Sequence, residues 1–117
     1  LRTIEHQMIN AIKNGKPLRG FNTTVSWDCE SHTCTIQLFG NTIATIEPNS
    51  VGDYELHLTN AGWKTATTKS RLNALLSMIG GGRISQTDKV WYYWDGTKSQ
   101  FFQREVTLPF DWDMLKS

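Results

Sequence analysis

Few landmarks punctuate this chain: three prolines, two cysteines and no apolar run longer than a few residues in 117 positions. Each shortage excludes something. Runs that short cannot cross a bilayer, which takes ~20 consecutive apolar residues. No charged-then-apolar leader with a small-residue cleavage site is visible, so a soluble, cytoplasmic chain with no membrane partner is expected. Two cysteines are too few for a disulfide scaffold, and a chain of this length can bury a core without one. Cys29 and Cys34 flank a short polar link. A bridge between them requires Cα atoms within about 7 Å, and two reduced thiols are the expectation. A zinc site built from Cys29, His32 and Cys34 lacks a fourth ligand and the spacing of paired knuckles, so neither metal nor cofactor is expected. Catalytic motifs are missing as well. His6, His32 and His57 are scattered, no Ser or Cys sits in a nucleophile elbow, and the carboxylates fall on predicted turns. The expectation is a protein that is not an enzyme.

Charge is absent locally rather than globally. The net value is +1, yet residues 22–60 hold no cation against Asp28, Glu30, Glu47, Asp53 and Glu55. Residues 61–104 reverse this, setting Lys64, Lys69, Arg71, Arg83, Lys89, Lys98 and Arg104 against only Asp88 and Asp95. A fold that keeps the two segments apart is dipolar and steers anionic partners to its basic side; an unevenly charged but merely solvated surface is the plainer alternative.

Periodicity divides the chain, read as one α+β domain over 1–117, into a helix and loop (1–21), a meander (22–60), a core helix (67–79) and C-terminal strands (83–108). Ile4, Met8 and Ile12 recur at four-residue spacing behind a Thr3 cap, and Asn14-Gly15 with Pro17 stops that helix. The period then changes to two. Val25 and Trp27 alternate with polar neighbours, as does the run 35–38; Gly40-Asn41 turns the chain into 42–46, and a fourth strand follows at 54–58. Leu72, Leu75, Leu76 and Ile79 mark the second helix, with Thr67, Thr68 or Ser70 as its cap and Gly80-Gly81-Gly82 as its stop. Strands at 83–86 and 89–94 are separated by a Thr87-Asp88 turn, and Asp95-Gly96 leads into a strand over 99–108. The tail after Pro109 reads as a surface turn or short helix. The order is therefore helix, four-strand meander, helix, then two to three strands on a mostly antiparallel sheet.

Two features point toward chemistry. The run Gly62 to Asn73 opens the second helix with three cations and no acid, although the partial positive charge of a helix start favours Asp or Glu there. Lys64, Lys69 and Arg71, with the hydroxyls of Thr67 and Thr68, make a candidate phosphate or carboxylate site; the alternative is that the threonines cap and the cations are solvated. No Gly-x-x-x-x-Gly-Lys pattern is present, so this is not a nucleotide-hydrolysing loop. The second feature is Val90-Trp91-Tyr92-Tyr93-Trp94, which places large rings on both faces of one strand. Either Trp91 and Tyr93 or Tyr92 and Trp94 project away from the helix-covered face, where rings can stack on bases; the alternative is a strand buried on both sides. Trp91 and Tyr93 are the assignment carried forward for stacking.

The residues Asn22-Thr23-Thr24-Val25, Leu38 to Ala44, Ala61-Gly62-Trp63 and Thr67 to Leu76 resemble a group of small tailed-bacteriophage proteins, cyanophage proteins among them, and Trp91-Tyr92 is similar too. The resemblance implies a viral origin and a bacterial host cytoplasm, and it transfers no activity or functional residue. Taken with the basic segment, the expectation is an accessory protein that binds phosphate-bearing partners, above all single-stranded nucleic acid. Two rivals remain: a module that captures a host protein or pairs with its own copy, and a binder of a small anionic metabolite or nucleotide. The last requires a closed concave pocket at the Lys69 end, lined by Trp63 and threonines.

Overall fold

Apolar spacing of four residues winds α1 (Thr3–Lys13), and alternation then lays out β1 (Leu18–Arg19), β2 (Thr23–Asp28), β3 (Thr33–Leu38), β4 (Asn41–Pro48) and β5 (Tyr54–Thr59) as an antiparallel meander. The computed structural model describes residues 1–115. After α2 (Ala66–Met78), β6 (Arg83–Thr87), β7 (Val90–Trp94) and β8 (Ser99–Phe101) form a separate three-stranded antiparallel sheet, and β9 (Glu105–Phe110) returns to pair with β5. The larger sheet thus runs β1-β2-β3-β4-β5-β9. The α+β expectation holds, with helix, meander, helix and strands in the expected order.

One expected strand is really two. The run over 99–108 breaks at residues 102–104, where the chain leaves β7 for β5. The Phe102 N–H donates to the Trp91 carbonyl (2.9 Å) and its ring is buried beside Trp91, while the Asn60 N–H donates to the Arg104 carbonyl (3.0 Å) and draws the chain onto the larger sheet. The turn between β6 and β7 also shifts by one residue, to Asp88 and Lys89, both with positive φ (52° and 67°). Such backbone suits the two-residue hairpin whose twist matches the strands.

Helix α2 is the centre of the packing. It contacts β4 and β6, and α1 contacts α2, β1 and β2. Leu72, Leu75 and Leu76 are fully buried on one side and Ala74 on the opposite side, as a helix covered from two directions requires. On the β6 side the Asn73 amide donates to the Ile84 carbonyl (2.9 Å) and accepts from the Ile84 N–H (2.8 Å), doing at the strand's edge what a neighbouring strand would do. The glycines that end α2 have distinct tasks: Gly80 takes a left-handed φ of 64°, and a Cβ on Gly82 would lie 1.5 Å from the Trp94 carbonyl oxygen. At the far end, a 3₁₀ turn over Trp112–Leu115 sets the Trp112 ring against Trp27, Tyr54 and Phe110, so the tail after Pro109 closes the core.

A buried ion pair ties α1 to α2. The Arg71 guanidinium, 1% exposed, donates to Glu5 Oε2 (2.8 Å), Thr23 Oγ1 (2.9 Å) and Asn22 Oδ1 (3.2 Å). Glu5 also accepts from the Ser70 hydroxyl and from the Arg2 N–H (2.9 Å). Burial alone pushes the Glu5 carboxyl up, but the bonds from Ser70, Arg2 and Arg71, with the Arg71 charge, outweigh it and hold the group below its ordinary value. The cysteines are both free; Cys34 is buried, which pushes its thiol up to about 12, and Cys29 is exposed.

Glu5→Gln leaves the guanidinium buried without its counter-charge and is expected to cost about 3–5 kcal/mol in urea denaturation. Because the folded carboxyl titrates below its unfolded value, the stability it contributes is fully present above about pH 5 and is lost as pH falls through the folded pKa. The variant should therefore show a flatter acid limb than the parent. Alkylation with iodoacetamide at neutral pH should modify Cys29 alone in the native protein and both thiols once it is denatured.

Candidate ligand-binding cleft

Four of the residues singled out from the sequence, Thr68, Arg71, Trp91 and Tyr93, are inside the protein. Arg71 meets its anion within the chain, in Glu5, and is removed from the candidate anion site. Its position explains this: Thr68 and Arg71 extend the Leu72-Leu75 stripe one turn toward the helix start, so both are carried into the core. Trp91 and Tyr93 are buried too, on the covered side of the smaller sheet, and are corrected from stacking platforms to packing residues. The other face of β7 is the open one. There Tyr92 stacks on Phe101 at a centroid distance of 5.4 Å and Trp94 is exposed.

Lys64, Thr67 and Lys69 remain at the start of α2. The cap is Thr65, ahead of the expected Thr67, Thr68 or Ser70, and its hydroxyl accepts the Thr68 N–H (3.1 Å) and pairs with the Thr68 hydroxyl (2.9 Å). Two first-turn donors, the N–H groups of Ala66 and Thr67, keep no acceptor among the described residues. Lys64 is exposed beside the cap, and Lys69 reaches Gln86 Oε1 on β6 (3.4 Å).

Between this helix start and the β3–β4 hairpin lies a cleft of about 360 Å³. Leu38 and Ile43 give it an apolar base, Phe39 and Trp63 form aromatic walls, and Asn41, Asn60, Thr65, Thr67 and Thr68 contribute the polar groups. No carboxylate lines it. Phe39 is 66% exposed and Trp63 59%, and among the described residues neither is stacked on another ring. Phe21, 98% exposed, is tied to the same end, because its neighbour Asn22 accepts the Phe39 N–H through its carbonyl (2.8 Å).

Among the polar lining residues Asn60 is 1% exposed. Its Oδ1 accepts the Gly62 N–H (2.8 Å) and its carbonyl accepts the Trp63 N–H (2.8 Å), fixing a turn in which Ala61 and Gly62 both have positive φ (54° and 85°). Its Nδ2 has no partner. A buried donor left unpaired costs about 1–3 kcal/mol, and such a group calls for an explanation.

Sequence reasoning missed Phe39 and Asn60. The signal for Phe39 was its place before Gly40: in the observed two-residue hairpin turn both residues have positive φ, 51° for Phe39 and 80° for Gly40, a backbone suited to Asn or Gly and strained for a bulky side chain. Asn60-Ala61-Gly62 carried the ordinary mark of an Asx turn, with nothing to show that the amide's other end is buried. Among the described residues no group of three or more His, Cys, Asp or Glu converges as a metal site, and no helix is long and apolar enough to cross a membrane.

Phe39→Asn is expected to raise stability by about 1 kcal/mol through relief of backbone strain, while removing one wall of the cleft. Thermal melting of the variant beside the parent measures this, and a lowered melting temperature would show that Phe39 is held by packing.

No curated protein and no solved structure matches this chain. A family model does, over residues 1–113, which agrees with the resemblance to cyanophage proteins. The chain belongs to the family described as Kyanoviridae Gp96 protein.

Proposed function

We propose that this is a non-enzymatic phage accessory protein, working in the host cytoplasm, that binds the nucleotide units of phosphate-bearing partners, above all single-stranded nucleic acid. The observation that carries the reading is the cleft, where aromatic walls, a carboxylate-free lining and an unpaired buried amide meet at a cationic helix start. A base lies against Trp63 and Phe39, at ~1–3 kcal/mol per stacked base. The adjoining phosphate is drawn to the free N–H groups of Ala66 and Thr67 and to Lys64 and Lys69. Arg71, Trp91 and Tyr93 play no direct part. A free nucleotide and one residue of a strand offer the cleft the same chemistry; a strand adds further phosphates.

Fluorescence anisotropy with a labelled oligo-dT strand at low salt tests this. Two lysine–phosphate contacts predict a slope of log affinity against log salt near −1.4, from about −0.7 per contact. Trp63→Ala and the double change Lys64→Gln, Lys69→Gln should each weaken binding roughly ten-fold or more and leave the melting temperature nearly unchanged. Competition by thymidine monophosphate as strong as by the strand would assign the cleft to free nucleotides. Absence of binding at low salt, or binding indifferent to salt and to Trp63→Ala, would overturn the reading.

A second reading rests on the outer face of the smaller sheet, where Val90, Trp94 and Phe101 are exposed around the half-buried Tyr92. Rings on an open sheet face suit capture of a host protein or of a second copy, and Trp94→Ser with Phe101→Ser would abolish such pairing without touching the cleft.

A further inference from the structure

The two sheets end in β1 and β9, and in β6 and β8, and an unpaired end strand is a template for another strand. All but β8 are guarded. On β6, packed against α2, the Asn73 amide engages both backbone groups of Ile84. β1 is two residues long, and one of them is Arg19. On β9 the bond from the Asn60 N–H to the Arg104 carbonyl settles which residues bond to β5, because bonded and non-bonded pairs alternate along an antiparallel ladder. Glu105, Thr107 and Pro109 therefore turn their backbone outward. There Pro109 withholds a donor and Glu105 adds a charge, and both blunt an edge.

β8 has neither device. The Phe102 N–H bonds the Trp91 carbonyl (2.9 Å) and the Asp95 N–H bonds the Lys98 carbonyl (3.2 Å), so by the same alternation Gln100 exchanges its bonds with Tyr93. Ser99 and Phe101 turn their backbone away from β7. Ser99, Gln100 and Phe101 are exposed and uncharged, and among the described residues nothing accepts the outward N–H groups of Ser99 and Phe101.

These outward groups complement themselves. Two copies of β8 laid antiparallel about a two-fold axis at Gln100 set Ser99 of each copy opposite Phe101 of the other, and each of these pairs exchanges a donor and an acceptor in both directions. The side chains fit the same register. Within one copy Phe101 is opposite Tyr92 and Ser99 is opposite Trp94, so each Phe101 meets a small serine across the axis and reaches over it toward the second copy's Trp94. No like charges face each other there, because Gln100 meets Gln100 and an amide is both donor and acceptor.

We propose that β8 is the pairing edge for a second copy of this chain, joining the two smaller sheets into one with a continuous aromatic strip on its open face. This rests on the second reading above and commits it to one occupant. Three residues bury little area, so the dimer is weak and forms with rising concentration.

Sedimentation velocity of the full chain from about 10 μM to about 1 mM reads the mass, and hydrogen exchange followed by NMR reads single amides. The mass is expected to move from 13.3 kDa toward twice that value. Over the same range the Ser99 and Phe101 amides should exchange roughly ten-fold more slowly, while Gln100, already bonded to β7, should not change. Ser99→Pro removes an outward donor from an edge strand, as Pro109 does on β9, and should hold the chain monomeric. Trp94→Ser leaves the backbone of the edge whole and should retain the dimer. If the proline variant does not fold, the amide pattern of the unaltered protein decides. A mass of 13.3 kDa at every concentration, or a dimer without added protection at Ser99 and Phe101, would overturn the inference. A dimer that survives Ser99→Pro and is lost in Trp94→Ser would overturn the edge pairing and leave the second reading standing, with the sheet face as its contact.

Discussion

The contact between Glu5 and Arg71 organises the rest of the molecule. A guanidinium and a carboxylate with almost no solvent exposure are stable only if they face each other and nearly every remaining polar group nearby is engaged, and here it is: Ser70, Thr23, Asn22 and the Arg2 N–H complete the cluster. That requirement fixes three elements at once, since Glu5 is on α1, Arg71 on α2 and Thr23 at the head of β2. The consequence reaches the cleft. Asn22 takes one Arg71 N–H through its side chain and the Phe39 N–H through its carbonyl, so the hairpin bearing one aromatic wall is held to the helix whose start forms another side. Arg71 thus positions the groups of the cleft without entering it.

Residues that define the second helix were legible as a stripe, and the same stripe already contained the information that Arg71 is internal. Positions 68, 71, 72, 75 and 76 fall on one face by simple helical spacing; a cation there, beside leucines, implies a buried partner. Charge composition alone points the other way, because a cation near a helix start without acids looks like half of an external pair. Periodicity outranks charge in this case, since the desolvation cost of a misplaced buried guanidinium exceeds anything a solvated anion contributes. The alternation in Val90 to Trp94 likewise stated that two rings go in and two stay out. It could not state which, because that depends on which side of the smaller sheet α2 covers, a fact of chain topology rather than of local pattern.

Strand order was unreadable for a related reason. The hairpin signals at Gly40, Asp88 and Gly96 are local and each lies in or beside an observed turn. The jump from β8 to β9 has no turn signature of its own; it is set by the burial of Phe102 beside Trp91 and by the backbone bond from Asn60 to Arg104. Long-range pairing of β5 with β9 therefore emerges only when both sheets are assembled around α2.

Several independent costs coincide at the cleft. Phe39 and Ala61 adopt left-handed backbone without being glycine, Asn60 buries a donor with nothing to bond, and large aromatic surface is left in water at Phe39 and Trp63. Lysine replaces the acid that a helix start prefers. Any one of these is unremarkable in a folded domain; Trp91 Nε1, buried and unpaired in the smaller sheet, is an example outside the cleft. Their convergence on one place is harder to attribute to packing, because packing would favour removing all of them. Left-handed turns at Asp88-Lys89 and His32 provide the contrast: there the residues with positive φ are polar or charged, and no apolar ring is held out by them. The strain around the cleft is specific in kind: left-handed backbone at Phe39 and Ala61 accompanies two rings left in water beside a helix start that carries no acid.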